Sequence, residues 1–189
     1  GEGVIFGAIA PTAPHPSPPP RFDRDALLRH AGGTLASVFG PAWADLDVHE
    51  PRVRMPLPPL LLVDRVLSLE GTRDVLGPAR IVTEYDVPLD AGWSADGRPP
   101  ACVVVEAGQA DLLLVSYLGL DGICQGERRY RLLDCDLRFL GDRPRPGTTL
   151  RHDIRIDRFA RHGGTTLFWF RYDCTDAAPG EPVLEMRDG

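Results

Sequence analysis

The feature that most limits the fold of this chain is the apolar stretch ACVVVEAGQADLLLVSYLGL, which spans residues 101–120. Only Glu106, Gln109 and Asp111 interrupt it with strongly polar groups. At this length, and with glycines at its end, the stretch predicts a buried α-helix rather than a strand. Because this helix is apolar on nearly every side, other elements must cover all of it.

Strand-like patterns lie on both sides of the predicted helix. Residues 150–156 alternate between apolar and charged side chains, so one face of that strand is expected to contact water. Gly163-Gly164 predicts a hairpin turn into the next strand. An antiparallel sheet wrapped around one central helix is an α+β arrangement, and a second copy could cover the side of the helix that the sheet leaves open. The predicted strands are residues 60–69, 80–87, 130–140, 150–159, 165–174 and 182–186.

The N-terminal residues differ in composition from the rest of the chain. Residues 11–20 read PTAPHPSPPP, with six prolines in ten positions. Such a segment predicts an extended, semi-rigid spacer that does not join a core. Residues 1–20 are therefore interpreted either as a linker between domains of a larger protein or as a disordered tail, and residues 21–189 as one domain. A helix is predicted from Asp23 to Gly40-Pro41.

Composition argues against several kinds of partner. The net charge is −6, whereas binding a phosphate backbone needs a basic face, so nucleic acid is not expected. The four cysteines form no CxxC pair, and Cys135 and Cys174 fall inside strand-like runs, where cysteine acts as a small hydrophobic residue. This favours reduced, buried thiols over disulfides, and with them a cytoplasmic location. The five histidines are scattered and form no HExxH motif, so no metal site is expected. No uninterrupted apolar run approaches the ~20 residues that span a bilayer, so no membrane partner is expected.

Glu106 is the main candidate for acid–base chemistry. A carboxylate in an apolar helix is costly unless it is paired, protonated or functional, and burial raises the pKa of a carboxyl towards that of a general acid. Gln109 lies three residues further on, shares that helix face and could hydrogen-bond a polar substrate group. The alternative is that Glu106 forms an ion pair with an arginine or another internal contact. Asp111 lies about 140° around the helix, where it is expected to face a partner or a helix end.

The histidines offer weaker candidates for a catalytic base. His152 falls on the apolar face of a strand, which favours a core histidine. His162 lies beside the hairpin turn, which favours a solvated residue. No GxSxG motif is present, so the sequence does not support a nucleophilic triad. The basic run at residues 128–131, RRYR, is interpreted as a solvated strand edge that could also meet an acidic carrier protein.

Several local motifs resemble one family. Residues 55–66, MPLPPLLLVDRV, resemble the opening motif of FabA-type β-hydroxyacyl-acyl-carrier-protein dehydratases, and TEYDVP at residues 83–88 resembles the strand that follows. EAGQADLLLVSYLG at residues 106–119 and GERRYRLLDC at residues 126–135 are more similar to one branch, the dehydratase region of polyunsaturated fatty acid synthases and iterative polyketide synthases. The similarity runs from about Arg21 to Gly189.

The resemblance implies a hot-dog fold, in which an antiparallel sheet wraps a long central helix over about 101–120. In this family the site lies between two hot dogs: a His removes the C2 proton of a 3-hydroxyacyl thioester, and a carboxylic acid protonates the leaving hydroxyl. Pro100-Ala101-Cys102 matches the family's Pro-Gly-Cys, which gives Ala101 the backbone donor to the thioester carbonyl and places Cys102 beside it as a substrate-binding residue. Glu106 matches the acid, and Gln109 is displaced by one position from the family's Gln.

The resemblance also implies partners and carriers. The substrate would be carried on the phosphopantetheine of an acyl carrier protein, with no metal or redox cofactor. The second half of the site would come from another hot-dog domain or from a homodimer partner.

The sequence departs from the family at the base. The family's His would fall near Gly92 or Trp93, and residues 88–101 contain no His. One interpretation is half of a double hot-dog dehydratase, with Glu106 as acid and the His supplied by another hot dog. A second is a non-catalytic hot dog that packs against the active one or holds the acyl chain. A weaker third is a hot-dog thioesterase in which Glu106 activates water. Because both proton transfers need positioned groups, the isolated chain is expected to be inactive as a dehydratase.

Overall fold

The computed structural model describes residues 19–90, 92, 94, 96–127 and 129–189. The linker predicted over residues 1–20 therefore lies outside the described residues except for Pro19 and Pro20. The domain begins with two short helices, α1 (Arg24–Gly32) and α2 (Ala36–Phe39), followed by a 3-10 helix over Pro41–Val48. The Asp23 carboxylate caps α1 by accepting a hydrogen bond from the Ala26 N–H at 2.9 Å. A helical opening from Asp23 is confirmed, but Gly33 ends its first segment.

The described residues form six antiparallel strands: β1 (Arg65–Glu70), β2 (Ala79–Asp86), β3 (Asp136–Phe139), β4 (Thr149–His162), β5 (Thr165–Asp176) and β6 (Pro182–Arg187). They make one sheet in the order β1-β2-β4-β5-β6-β3. The alternating pattern at residues 150–156 does form a strand, and the turn at Gly163-Gly164 joins it to the next one. The strand predicted over residues 130–140 is much shorter, because only Asp136–Phe139 pairs with β6 at the sheet edge.

The central helical stretch is interrupted, which corrects the prediction of one helix over 101–120. It consists of α3 (Ala101–Glu106), α4 (Asp111–Tyr117) and α5 (Leu120–Cys124). Tyr172 of β5 explains the first interruption, because its hydroxyl donates to the Val105 carbonyl at 3.1 Å. The Gly108 N–H donates to the same carbonyl at 3.0 Å. A Cβ at Gly108 would lie 2.5 Å from the Tyr172 ring, so glycine permits this close approach.

The helical stretch packs on one face of the sheet. Leu113, Leu114 and Val115 of α4 are fully buried. They belong to one apolar core with Ile154 of β4 and Tyr172 of β5. Full burial of each aliphatic side chain stabilises the fold by roughly 1.5–3 kcal/mol. The predicted α+β hot-dog arrangement, an antiparallel sheet around a central helical segment, is thus confirmed.

The outer face of the sheet carries paired charges, as the alternating pattern predicts. Arg80 and Arg155 both bind the Asp153 carboxylate, with the shortest contacts at 2.8 Å. Glu84 has no exposed side-chain surface and accepts hydrogen bonds from Arg65 and Arg151, each at 2.6 Å. Acids and arginines therefore alternate across neighbouring strands of this face.

Three further predictions concern membrane-spanning helices, metal ligands and the cysteines. No helix in the part of the chain that the structure describes is long and apolar enough to cross a membrane. Among the same residues, no group of three or more His, Cys, Asp or Glu side chains is arranged to hold a metal ion. All four cysteines are free thiols, as predicted, but only Cys174 is buried and Cys102 is exposed.

Candidate active site

The first turn of α3 presents the predicted backbone donor. Pro100 lies at the N-cap, and its carbonyl accepts the Val103 N–H at 3.0 Å. The N–H groups of Ala101 and Cys102 precede that bond and belong to the helix end that lacks intrahelical acceptors. Both side chains are exposed. The positions assigned to substrate contact are therefore accessible at the surface of this chain.

Glu106 is the last residue of α3, and its side chain is exposed. The expectation of a carboxylate buried in an apolar helix is wrong for this residue, because α3 ends there and turns the side chain to the surface. The protein atoms that shield part of the carboxyl still raise its pKa above the ordinary value. An accessible carboxyl with a raised pKa can give a proton to a group that approaches from outside the chain.

Gln109 lies in the interruption between α3 and α4. Its backbone N–H donates to the Glu106 carbonyl at 3.0 Å, and its side chain is half-buried. The predicted shared face of Gln109 and Glu106 assumes the ~100° rotation per residue of a regular helix. That rotation does not apply across the break between α3 and α4. The substrate-binding role of Gln109 stays a prediction.

The buried carboxyl of this region belongs to Asp111 instead. Asp111 opens α4 and has no exposed surface. Its Oδ2 accepts a hydrogen bond from the Tyr130 hydroxyl at 2.9 Å, and its Oδ1 has no hydrogen-bond partner among the described residues. Burial raises the pKa of Asp111 to about 7; the Tyr130 bond lowers it, and the charge of Glu106 raises it further.

The position of Asp111 at a helix end agrees with the sequence expectation, but its burial inside this chain does not. The signal that could have indicated burial is its setting between Ala110 and the leucines that follow. Burial is the main cause of the raised pKa of both Asp111 and Tyr130, and the charge of Glu106 adds to it in each case.

His152 is a core histidine, as predicted. It has no exposed surface, and its ring meets the Tyr172 ring edge-on, with centroids 5.7 Å apart. Burial lowers its pKa to about 4, against an opposing effect of the Val104 backbone. Neither ring nitrogen makes a well-formed hydrogen bond among the described residues. A neutral imidazole enclosed in this way cannot reach a substrate at the surface. The other candidate, His162, is exposed at the end of β4 beside the hairpin turn, as expected.

A cavity of about 670 Å³ lies between the helical stretch and β5. The sequence did not reveal it, because its walls come from distant segments. Leu112 and Leu120 form one side and Phe168 and Phe170 another, while the segment 129–134 closes a third. The predicted site residues Ala101, Cys102, Glu106 and Gln109 lie outside the described lining.

Comparison with known proteins gives one strong similarity in sequence. Over 171 residues, the chain is 44% identical to a polyunsaturated fatty acid synthase subunit of Thraustochytrium sp.. The chain is a homologue of part of that subunit. The match covers 89% of this chain but only 11% of the synthase protein, so the chain corresponds to a small segment of a much longer polypeptide. No family model matches the chain.

Similarities to solved structures are weaker. A dehydratase heterocomplex from Xenorhabdus doucetiae is 14% identical, with a TM-score of 0.44, and covers 73% of this chain and 89% of its own. A hypothetical thioesterase with coenzyme A from Streptococcus pneumoniae is 18% identical, with a TM-score of 0.39, and covers 63% of this chain and 79% of its own. Both scores lie below 0.5, so no function follows from either of them.

Proposed function

We propose that this homologue of part of a polyunsaturated fatty acid synthase is one half of a double hot-dog dehydratase. Its substrate would be a 3-hydroxyacyl group held on the phosphopantetheine of an acyl carrier protein. The observation that carries the proposal is Glu106. It matches the acid position of the FabA-type motif, is exposed at the end of α3 and has a raised pKa.

The proposed reaction divides two proton transfers between two hot dogs. A histidine of the second hot dog removes the C2 proton, and the electron pair left at C2 forms the double bond to C3. The C3–O bond breaks as Glu106 gives its proton to the departing hydroxyl, which leaves as water. The N–H of Ala101 donates a hydrogen bond to the thioester carbonyl, which stabilises the negative charge that develops there.

An exposed apolar edge supports a second hot dog as the partner. Within the described part of the chain, β3 pairs only with β6 and forms one edge of the sheet. Leu137 of β3 is 40% exposed and Phe139 is 50% exposed. An edge strand with apolar side chains favours pairing with another sheet. Covering this edge is consistent with a site that neither hot dog completes alone.

The experiment measures dehydration of a 3-hydroxyacyl thioester by this chain alone and together with a hot-dog domain that carries the histidine. We expect no turnover by the chain alone and turnover by the pair. Glu106→Gln should lower kcat by ~10² or more, because a positioned acid contributes roughly 10²–10⁴-fold. The matched control is Glu181→Gln, which alters an exposed carboxylate in the turn before β6 and should leave the rate unchanged.

The result that refutes the proposal is full activity of the pair after Glu106→Gln. Release of free thiol without dehydration would instead indicate a thioesterase, with Glu106 activating water.

A second candidate is a non-catalytic hot dog that holds the acyl chain. The observation that favours it is the cavity of about 670 Å³, whose lining is largely apolar and does not include Glu106 among the described residues. In that case the pair would retain full activity after Glu106→Gln but would lose activity on long acyl chains when the cavity is filled.

A further inference from the structure

The cavity beside β5 has the size of a ligand site. Its volume of about 670 Å³ lies within the ~300–1,000 Å³ that is common for small-molecule pockets. A methylene needs about the room of a water molecule, ~30 Å³, so the cavity accommodates on the order of twenty carbons. Its capacity therefore suits a long acyl chain.

The inner walls of the cavity are apolar and come from elements that the core holds in place. Leu112 and Leu120 belong to α4 and α5, and Phe170 of β5 is 2% exposed. Phe168 packs on Phe170 with ring centroids 5.8 Å apart and on Tyr130 at 5.9 Å. These rings form a continuous apolar surface that would exclude water from a bound hydrocarbon chain.

A hydrogen bond fixes the third wall. Tyr130 lines the cavity, and its hydroxyl donates to the buried Asp111 carboxylate at 2.9 Å. This bond ties the segment 129–134 to the start of α4, so the cavity has a defined width between Tyr130 and Leu112.

The border of the cavity carries cations that are available to an anion. Among the described residues, four arginines and three acids line it, and both Arg129 and Arg131 are exposed. Arg131 donates to the Tyr130 carbonyl at 2.7 Å, and Arg129 has no ion-pair partner among the described residues. Of the acids, Asp121 and Asp134 accept hydrogen bonds from backbone N–H groups at 2.9 Å, which reduces their competition for the arginines.

We propose that this cavity binds a long-chain amphipathic anion, with its hydrocarbon tail against Leu112 and Phe168 and its anionic end at Arg129 and Arg131. Two kinds of molecule carry such an anion, a free fatty acid through its carboxylate and a phosphopantetheine-linked acyl group through its phosphate. In the second kind the pantetheine arm takes up part of the cavity, so part of a long acyl chain would extend beyond it. The inference rests on the proposed function only for the second kind. The site is separate from Glu106, so binding can be measured without any turnover.

The test is direct binding by titration calorimetry below the micelle concentration of each probe. The probes are octadecanoyl-4′-phosphopantetheine, octadecanoate and 4′-phosphopantetheine without an acyl chain. We expect the first or the second to bind and the third not to bind, because the tail supplies most of the affinity. Tighter binding of the first probe identifies the carrier-linked source, and tighter binding of the second identifies the free acid.

Variants separate the tail site from the anion site. Leu112→Phe and, from another segment, Val53→Phe should each weaken binding at least tenfold, because the added ring occupies the space of the tail. The control is Leu28→Phe, which enlarges a half-buried leucine of α1 outside the lining. Arg129→Ala and Arg131→Ala should each weaken binding about two- to fivefold, as for exposed ion pairs, whereas the exposed Arg145→Ala should not. Thermal melting of each variant verifies that it is folded.

Two outcomes would overturn the inference. One is that neither acylated probe binds, which would leave the cavity to a protein segment. The other is binding that Leu112→Phe and Val53→Phe leave unchanged while both variants are folded. Neither outcome affects the proposed dehydratase, whose test is turnover after Glu106→Gln.

Discussion

Asp111→Asn should change how the stability of this domain depends on pH. Asp111 is fully buried, and its pKa is raised from 3.8 to about 7 by burial. A carboxyl with a raised folded-state pKa is most favourable when protonated. Its contribution to stability is therefore greatest below its unfolded pKa of 3.8 and falls as the pH rises to about 7. Asparagine does not ionise, so its contribution to stability does not depend on pH.

The magnitude follows from linkage. Each pKa unit corresponds to ~1.36 kcal/mol, so the full shift is worth about 4 kcal/mol. Because the folded-state carboxyl is only half ionised at pH 7, the free energy of unfolding of the variant should gain about 2 kcal/mol relative to the parent chain between pH 5 and pH 7. The cost of placing an amide beside Tyr130 is the same at both pH values, and groups common to both proteins cancel.

The assay is urea unfolding of both proteins at pH 5, 6, 7 and 8, followed by tryptophan fluorescence. Asp153→Asn is the control. Burial alone would raise the pKa of Asp153, but hydrogen bonds from Arg80 and Arg155 outweigh this effect and lower the pKa to about 2. Its stability contribution is thus lost only on acidification below the assay range, and the control difference should be constant from pH 5 to pH 8. A constant difference for Asp111→Asn as well would refute the assignment of Asp111 as a buried, protonated carboxyl.

Two other variants test the fold and the pairing edge. Gly108→Ala should destabilise the domain by about 1–3 kcal/mol, because the new Cβ would lie 2.5 Å from the Tyr172 ring. Urea unfolding measures this loss, and an unchanged urea midpoint would contradict the role of Tyr172 in the helix interruption. Phe139→Asp alters a half-exposed side chain of the edge strand, so it should leave the melting temperature within a few degrees but weaken association with a second hot dog in light scattering, and undiminished association would exclude β3 as the pairing edge.

The alternation of side chains along the sequence was sufficient to predict most strands of the sheet. In β4, Arg151, Asp153 and Arg155 point to the charged outer face, and the residues between them, His152 and Ile154, enter the core. This alternation is a property of consecutive residues in an extended chain, so it is visible in the sequence. The prediction of a strand over residues 130–140 was too long, because the extent of this strand is set by a distant partner rather than by local pattern. Its length depends on where β6 ends, and β6 lies far along the chain.

The candidate site was predictable only in part. The motif at residues 100–106 places a backbone donor and an acid at the two ends of α3, and the structure has both positions accessible. Which carboxyl is buried could not be read from periodicity, because Tyr172 interrupts the helix between Glu106 and Asp111. The cavity could not be predicted from the sequence either, since Leu112 and Phe168 line it together only in the folded chain.

The sequence by itself determined the α+β class, the antiparallel strands and the apolar centre, because periodicity and hydrophobicity act between near neighbours. Tertiary structure alone decided the helix interruption, the exposure of Glu106 and the burial of Asp111. The helix interruption depends on the contact of Tyr172 with Val105, and the exposure of Glu106 follows because α3 ends there. The burial of Asp111 depends on Tyr130, which is distant in sequence. Such contacts exist only in the folded chain, where desolvation then determines which acid keeps its proton.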